Sequence, residues 1–535
     1  MSAGDEGRGD EGRDDEGHDE IASWRRNHWC THLERHALQT PDRPAVRFQG
    51  ATTTWRELRD RVVDLSHALA RRGVGPGERV AILTWNRPEL LETVLAANRL
   101  GALAVPVNFR LTPVEVAYVV ENAGARVLIA DEATVTTARA ALEGLDVALV
   151  VVGAAAPGAE RYEDLLAESG EPAPFADVPE DAPALIMYTS GTTGRPKGAV
   201  LSHSNLQAQS LTVIRAWRLF DADEVNLCAA PMFHIGAIGS IAPMILLGGC
   251  IVVLPTGAFD SGAVLGVLER ERVTSVFLVP TQWQALCEDP TVPDRDLSAL
   301  RITCWGAAPA STALLRRMSE VFPGATNVAV FGQTEMSPIT CVLDGGDALR
   351  KIGSVGRPVP TVAVRVVDDA MHDVPQGEVG EIVYRGPTQM AGYWNDEKAT
   401  AEAFAGGWFH SGDLVRVDDE GFVYVVDRAK DMIISGGENI YCAEVEDALA
   451  GHPLIREVSV VGRPDPKWGE TPVAVICLRD PDGELPVSDL RDWARERLAS
   501  YKLPTDVALV AELPRNAGGK VLKGELRTRF GEPAQ

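Results

Sequence analysis

The chain has 535 residues, of which 45% are hydrophobic and 24% are charged, and its formal net charge is -25. This length exceeds the size at which a single hydrophobic core stops growing, so we expect more than one core. The acidic balance argues against a nucleic-acid-binding protein, because such a surface needs a basic patch.

Residues 1–20 are predicted to form an acidic, disordered tail. They include nine Asp or Glu residues and two Arg residues, and the sequence GDEGR occurs twice. Such a segment has almost nothing to bury and is typical of a solvated tail, although an interaction tail is an alternative. It lacks the apolar stretch of a signal peptide. The eight cysteines are scattered without a C-x-x-C pair, which favours reduced thiols and a cytoplasmic protein.

Short apolar runs alternate with helical stretches through the first 330 residues. Arg79–Leu83 is a predicted strand, and a helix with Pro88 near its start follows it. Further strands are predicted at 102–107, 126–130, 147–153, 184–189, 250–255, 273–280 and 328–332. This alternation predicts layered α/β subdomains with largely parallel sheets, in which ligands bind at the carboxyl ends of the strands.

One uncharged segment, Ile235–Leu254, is long enough to cross a membrane. Pro243 and the glycines at 248 and 249 divide it, and no basic flank or aromatic belt frames it. We therefore expect a helix that ends near Leu247, a glycine turn and a buried strand, and no integral membrane segment.

The pattern changes beyond about residue 350. Short alternating strands with glycine turns, at 361–369, 377–386 and 421–428, predict a β-rich subdomain. The remaining residues have their own strand–helix pattern and suffice for a small α+β domain. The predicted organisation is a large domain at 21–429 and a small domain at 430–535.

The stretch YTSGTTGRPKG, residues 188–198, follows a predicted buried strand. Glycines let successive backbone N–H groups point one way, and the hydroxyls and the ammonium group of Lys197 add donors, which makes a nest for phosphate. The pattern differs from the Walker loop, because Gly198 follows the lysine where that loop has Ser or Thr. Taken alone, the stretch is equally compatible with a plain glycine-rich turn.

Eight stretches in a fixed order resemble the signature set of the acyl-adenylate-forming synthetases. They are YTSGTTGRPKGAVLSHSN, PMFHIGA, GAAP, FGQTE, GEIVYRGPTQMAGYWN, WFHSGDL, DRAKDMIISGGENIY and PRNAGGKVLK. The resemblance covers roughly residues 25–530 and is strongest to the fatty-acid–CoA ligase branch. It implies a large AMP-binding domain and a small mobile domain with its hinge at Lys430.

The resemblance also implies an ATP site. Its residues are Thr189, Ser190, Gly191, Thr192, Thr193, Gly194 and Lys197 for the phosphates, Gly306, Ala307, Ala308, Phe331, Gly332, Gln333 and Thr334 for the base and the α-phosphate, and Asp413 and Arg428 for the ribose. A phenylalanine ring can stack on a purine, and a carboxylate is a hard oxygen ligand, so Glu335 is the expected Mg²⁺ ligand.

Two further residues are expected to act on the acid. His234 would orient the attacking carboxylate, and Lys520 would neutralise charge between carboxylate and α-phosphate during adenylation. Lys523 has the same chemistry but is expected to face solvent. Gly436 and Gly437 would line a channel for CoA, to which the segment at 467–470 can also contribute.

The predicted function is an ATP- and Mg²⁺-dependent acyl-CoA synthetase for a hydrophobic, fatty carboxylic acid. The alternative is an acyl-AMP ligase that passes the acyl group to a carrier-protein thiol or to an amine. A P-loop kinase is disfavoured by the loop pattern, and a degenerate binding protein by the presence of Lys520 and Glu335. The expected partners are a small-molecule carboxylic acid and CoA, and the oligomeric state is open. We also expect Trp305 to shorten the acyl channel, with plain core packing as the alternative.

Overall fold

The computed structural model describes residues 24–168, 170, 173–189, 196–308, 310–429, 431–435, 438–495, 497–515 and 521–531. The predicted acidic tail at residues 1–20 lies outside these ranges.

The helices and strands are numbered in chain order. The helices are α1 (Trp29–Gln39), α2 (Trp55–Arg71), α3 (Pro88–Arg99), α4 (Pro113–Ala123), α5 (Val135–Ala141), α6 (Tyr162–Leu166), α7 (His203–Ala216), α8 (Ile235–Leu247), α9 (Ser261–Arg270), α10 (Pro280–Glu288), α11 (Thr312–Val321), α12 (Glu397–Ala403), α13 (Cys442–Ala450), α14 (Val487–Arg495) and α15 (Lys523–Phe530). The strands are β1 (Pro44–Phe48), β2 (Ala51–Thr54), β3 (Arg79–Leu83), β4 (Leu103–Pro106), β5 (Val127–Asp131), β6 (Ala148–Val152), β7 (Glu160–Arg161), β8 (Pro183–Thr189), β9 (Lys197–Ser202), β10 (Val225–Cys228), β11 (Cys250–Val253), β12 (Ser275–Leu278), β13 (Ile302–Gly306), β14 (Thr326–Gly332), β15 (Ile339–Leu343), β16 (Arg357–Pro358), β17 (Ala363–Val367), β18 (Gly380–Arg385), β19 (Gly392–Tyr393), β20 (Phe409–Val417), β21 (Val423–Arg428), β22 (Ile433–Ser435), β23 (Glu438–Ile440), β24 (Ile455–Asp465), β25 (Gly469–Leu478) and β26 (Asp506–Leu509).

Local signals account for several of these boundaries. Pro88 occupies the first turn of α3, where its missing N–H group costs nothing. Gly248 adopts a left-handed backbone with φ 79° and ends α8, and β11 follows it. The helix, turn and strand predicted for 235–254 are therefore confirmed. Within the described residues, no helix is both long and apolar enough to cross a membrane.

Contacts within the chain define two compact units. Unit 1 comprises residues up to Ile352 together with Val359–Val362 and Gly386–Glu402, and unit 2 comprises the rest. The mixed α/β fold, with a large N-terminal and a small C-terminal part, agrees with the prediction. The boundary between residues 429 and 430 stays a prediction.

Unit 1 contains two mainly parallel sheets. In the first, the strands run in the order β15-β14-β13-β12-β10-β11-β1-β2, and they are parallel from β14 to β1. In the second, the order is β19-β9-β8-β4-β3-β5-β6-β7, and the strands are parallel from β8 to β7. Helices α4 and α5 cover one face of the second sheet, where Val116, Val120 and Ala138 pack with Leu83 and Leu128. Each predicted strand of this region is present within about two residues of its expected bounds.

Unit 2 contains an antiparallel sheet and a smaller mixed sheet. The antiparallel sheet has the order β17-β18-β20-β21, which confirms the predicted β-rich pattern. The mixed sheet has the order β23-β22-β25-β24, and β26 lies parallel to β25. Adjacent residues of β24 point to opposite faces, so Val460 packs with α13 and Val461 packs with Leu526 of α15.

Candidate active site

The predicted phosphate loop connects two antiparallel neighbours in the second sheet. β8 ends at Thr189 and β9 begins at Lys197, and these two residues are register partners. The structure therefore brings Thr189 and Lys197, two of the seven predicted phosphate-binding residues, to the same end of the hairpin. Ser190, Gly191, Thr192, Thr193 and Gly194 lie outside the described residues.

The FGQTE stretch turns sharply at the end of β14. A Cβ atom on Gly332 would overlap the carbonyl oxygen of Pro338, so only glycine fits there. The backbone N–H of Gln333 donates to that carbonyl at 2.9 Å, and Thr334 starts a 3-10 turn that also carries Glu335. The side-chain Nε2 of Gln333 is buried and has no hydrogen-bond partner among the described residues. A buried amide donor without a partner is one that a bound polar ligand can satisfy.

The predicted adenine turn, Gly306 to Ala308, lies beside that stretch. β13 and β14 are parallel neighbours, and Gly306 is the register partner of Val330. A Cβ atom at Gly306 would overlap the Val330 carbonyl oxygen, and Ala307 has a left-handed backbone with φ 64°. Ala307 and Ala308 are exposed, whereas Phe331 is half-buried. The structure thus places both predicted adenine-contacting segments at one sheet edge.

A residue that sequence reasoning did not single out, Tyr393, contacts both Glu335 and Lys197. Its hydroxyl group donates to Glu335 Oε1 at 2.9 Å, and the Lys197 ammonium lies 5.2 Å from the centre of its ring. Desolvation, and then the Glu335 carboxylate, raise the pKa of Tyr393, so the phenol stays protonated and acts as a donor. Tyr393 belongs to GEIVYRGPTQMAGYWN, one of the eight stretches that carry the resemblance, but nothing in the sequence indicated these contacts.

His234 lies at the N-terminus of α8. Its Nδ1 accepts a hydrogen bond from the Gly236 backbone N–H at 3.1 Å. Part of the His234 side chain is exposed. Protein around the rest of the ring reduces its hydration, and this desolvation lowers the pKa of His234. The neutral ring is therefore favoured, and because Nδ1 accepts, its proton resides on Nε2.

A second residue missed by sequence reasoning, Phe277, lies beside His234. A Cβ atom on Gly236 would lie 3.3 Å from His234 Nδ1 and 3.8 Å from Phe277 Cε1. A Cβ atom on Gly306 would lie 3.4 Å from Phe277 Cε2. The two glycines therefore flank the ring of Phe277 without covering it with side chains of their own.

The structure favours the core-packing alternative for Trp305. Its indole N–H donates to Asn327 Oδ1 at 2.7 Å, and the Asn327 amide contacts Met318 of α11. Since successive residues of a strand point to opposite faces, Trp305 faces α11 while Gly306 faces Phe277. Trp305 is a buried core residue on the other side of the sheet from His234.

The two predicted ribose contacts lie opposite each other in unit 2. Asp413 on β20 is the register partner of Arg428 on β21, and Arg428 Nε lies 2.5 Å from Asp413 Oδ1. Asp413 is buried, and Arg428 is about one-third exposed. The structure brings this predicted pair together.

The remaining predicted residues fall partly outside the described ranges. Lys430, Gly436, Gly437 and Lys520 are not described. Lys523, expected to face solvent, is instead mostly buried and lies 2.8 Å from Glu446 Oε1. Burial alone would lower the pKa of Lys523, but Glu446 and its neighbours outweigh that effect and raise it. The 467–470 segment forms the turn between β24 and β25, where Trp468 is exposed.

The fold is that of an α/β protein, and the candidate nucleotide-binding residues of unit 1 lie at the carboxyl ends of its strands. The AMP-binding enzyme family model matches residues 33–394, and the model of the AMP-binding enzyme C-terminal domain matches residues 444–520. The chain therefore belongs to the AMP-binding enzyme family, which confirms the resemblance to acyl-adenylate-forming synthetases.

Named relatives match over nearly their whole length. The chain is 44% identical to a feruloyl-CoA synthase of Amycolatopsis sp, over 93% of this chain and 98% of that protein. It is 40% identical to an indoleacetate–CoA ligase of Aromatoleum aromaticum, over 95% and 98%. Among solved structures, the o-succinylbenzoate CoA synthetase of Bacillus subtilis with its acyl-adenylate intermediate has a TM-score of 0.84 and 32% identity, over 94% and 98%.

Proposed function

We propose that the chain is an AMP-forming acid–CoA ligase that acts on an aromatic carboxylic acid. The observation that carries the proposal is that three motifs distant in sequence meet around Tyr393 and the ends of β13 and β14. They supply a lysine ammonium group, a carboxylate and an aromatic ring. In the first step the acid carboxylate attacks the α-phosphorus of ATP and pyrophosphate leaves. In the second step the CoA thiolate attacks the acyl carbon and AMP leaves.

The chain's own residues have distinct roles in this proposal. Thr189 and Lys197 bind phosphate oxygens, Thr334 donates its hydroxyl to the α-phosphate, and Phe331 stacks on adenine. Asp413 and Arg428 hold the ribose. Lys520 neutralises the charge that develops during adenylation, and Gly436 and Gly437 admit CoA after rotation at Lys430.

Glu335 would hold a magnesium ion together with the bound nucleotide. The described residues contain no cluster of three or more His, Cys, Asp or Glu side chains that would hold a metal alone. Mg²⁺ typically takes one or two carboxylates and completes its octahedron with phosphate oxygens and waters. When bound, it neutralises phosphate charge.

His234 is proposed to hold the acid. With Nδ1 occupied by the Gly236 N–H group, its Nε2–H group is the donor offered to the substrate carboxylate. A neutral donor orients the carboxylate without forming the ion pair that would lower its nucleophilicity.

The acid is proposed to be aromatic rather than fatty, although the sequence motifs favoured a fatty acid. The relatives reported above are named for feruloyl, indoleacetate and o-succinylbenzoate groups. The ring of Phe277, flanked by Gly236 and Gly306, offers an aromatic face to a flat substrate, and aromatic pairs prefer offset or edge contacts.

A substrate panel tests the proposal. The purified protein is incubated with ATP, Mg²⁺ and CoA, and with hydroxycinnamic, indoleacetic, benzoic and straight-chain fatty acids. We expect AMP and an acyl-CoA mass, with kcat/KM for an aromatic acid at least about tenfold above that for any fatty acid. A preference for fatty acids, or ADP as product, would overturn it. Pyrophosphate release without acyl-CoA formation would favour the alternative acceptor, a carrier thiol or an amine.

A further inference from the structure

Tyr393 lies on β19, which pairs with β9, the strand that follows the phosphate loop. β19 pairs antiparallel with β9, with Tyr393 opposite Ala199. The Trp394 N–H donates to the Gly198 carbonyl at 2.7 Å, and the Tyr393 N–H donates to Thr400 Oγ1 at 2.9 Å. The backbone of Tyr393 thus has hydrogen-bonded neighbours on both sides.

The same segment also holds the backbone of Glu335. The Met390 N–H donates to the Glu335 carbonyl oxygen at 2.8 Å, and Ser337 Oγ donates to the Thr388 carbonyl at 2.7 Å. Glu335 is buried, and the phenol of Tyr393 binds Oε1, which leaves Oε2 to be offered to a cation. The carboxylate is therefore oriented by a neutral donor.

The ring of Tyr393 contacts a positive charge, that of Lys197, whereas its hydroxyl group contacts the negative charge of Glu335. Lys197 Nζ lies over the ring, while Glu335 binds the hydroxyl at its other end. No ion pair joins Lys197 to Glu335 within the part of the chain that the structure describes. One side chain therefore contacts an ammonium group through its ring and a carboxylate through its hydroxyl group.

We propose that Tyr393 is a positioning residue that couples Mg²⁺ binding at Glu335 to nucleotide binding at Lys197. This inference rests on the proposed function, since Glu335 is the proposed ligand. The phenol sets the direction of the free carboxylate oxygen, as hydrogen-bond partners of metal ligands generally do. The ring keeps the ammonium available for phosphate oxygens.

The test measures binding rather than turnover. ATP affinity is determined by calorimetry with and without Mg²⁺, and the ratio of the two dissociation constants defines the coupling. For Tyr393→Phe, which keeps the ring, we expect the coupling to fall about tenfold. This lies within the range of losses typical when a residue that hydrogen-bonds to a metal ligand is replaced. Tyr393→Leu, which also loses the ring face, should in addition weaken Mg²⁺-free ATP binding about threefold.

A matched control exists elsewhere in unit 1. Tyr162 donates through its hydroxyl group to buried Glu92 Oε2 at 2.8 Å, on helices remote in sequence from the motifs. Tyr162→Phe removes the same type of hydrogen bond and should leave the coupling unchanged. Thermal unfolding of each variant checks that the fold is retained.

The outcomes separate the inference from the proposed function. Unchanged coupling in Tyr393→Phe, with normal coupling in the unsubstituted protein, overturns the role of Tyr393 alone. An equal loss of ATP affinity with and without Mg²⁺ also overturns it, because that result indicates a merely structural role. Absence of Mg²⁺-dependent ATP binding in the unsubstituted protein would overturn the proposed function itself.

Discussion

Two buried carboxylates of this protein have partners of different charge. Glu335 in unit 1 accepts a hydrogen bond from the neutral phenol of Tyr393. Asp413 in unit 2 faces the guanidinium of Arg428 across two strands. A phenol orients a carboxylate and leaves its charge available, whereas a guanidinium compensates the charge. The difference supports the proposed roles, in which Glu335 receives a cation and Asp413 accepts neutral hydroxyl groups.

The largest expected effect is that of removing the available charge. Glu335→Gln keeps the size of the side chain but not its charge, and we expect the adenylation rate to fall roughly 1,000-fold. Asp413→Asn, whose charge Arg428 already compensates, should cost only about tenfold. Pyrophosphate release in the presence of acid and ATP measures both.

Glu121 provides the control for the charge change itself. It is exposed on α4, and Glu121→Gln should change the rate by less than about twofold. Equal losses in the Glu335 and Asp413 variants would contradict the distinction between the two carboxylates.

The same distinction applies to two lysines three positions apart. Lys520→Met should lower adenylation about 100-fold, because its ammonium is proposed to act on the reacting groups. Lys523 is paired with Glu446, so Lys523→Met should leave adenylation within about threefold. Ser459 Oγ and the Val460 N–H also donate to Glu446, so the loss of the cation should be tolerated.

Hydrogen exchange should reveal what Lys523 does instead. In Lys523→Met the amides of α13 and α15 should exchange about tenfold faster, whereas Lys520→Met should not change them. A 100-fold loss of adenylation in Lys523→Met would show that the buried pair has been given the wrong role.

Much of the fold could be predicted because its signals are local. Pro88 at the start of α3 and Gly248 at the end of α8 act within a few residues of the boundaries they set. The site was predictable as a set of motifs, but not as contacts. Glu335 and Tyr393 are 58 positions apart, and no periodicity reports that they meet. For Trp305 the sequence left the channel and the core-packing alternatives open, because alternation along a strand says which residues share a face, but not which face the substrate occupies.

Another buried ionisable residue, His203, also has an uncharged partner, the ring of His28. The rings of His28 and His203 stack with centroids 4.1 Å apart, and both are buried. Burial, and then the charge His28 would carry, lower the pKa of His203 to about 3. The unfolded chain, with the ordinary value near 6.5, therefore binds the proton more tightly, and stability is lost as the pH falls below 6.5.

For one such histidine, we expect the equilibrium constant for unfolding at pH 5.5 to rise about tenfold. His203→Phe keeps a ring in the stack but cannot be protonated. Hydrogen exchange of the slowest amides of α7 is measured at about pH 7.5 and about pH 5.5 and corrected for intrinsic exchange. The loss of protection between these two pH values should be about tenfold smaller in the variant than in the unsubstituted protein. Equal pH dependence in both proteins would contradict the assignment.

The smallest expected effect separates the two faces of the first sheet. Phe277 lies on the face that carries His234, so Phe277→Leu should lower the preference for aromatic over straight-chain acids about fivefold. Trp305 lies on the α11 face, so Trp305→Phe should leave that preference within twofold. The ratio of kcat/KM values for one aromatic and one fatty acid measures both.

The Trp305 variant still loses its hydrogen bond to Asn327, so it should unfold at a lower temperature than the unsubstituted protein. That loss is what distinguishes a core residue from a silent one: stability changes while specificity does not. If Trp305→Phe changed the acid preference and Phe277→Leu did not, the substrate would have to occupy the opposite face of the sheet, and the proposed role of His234 would fail with it.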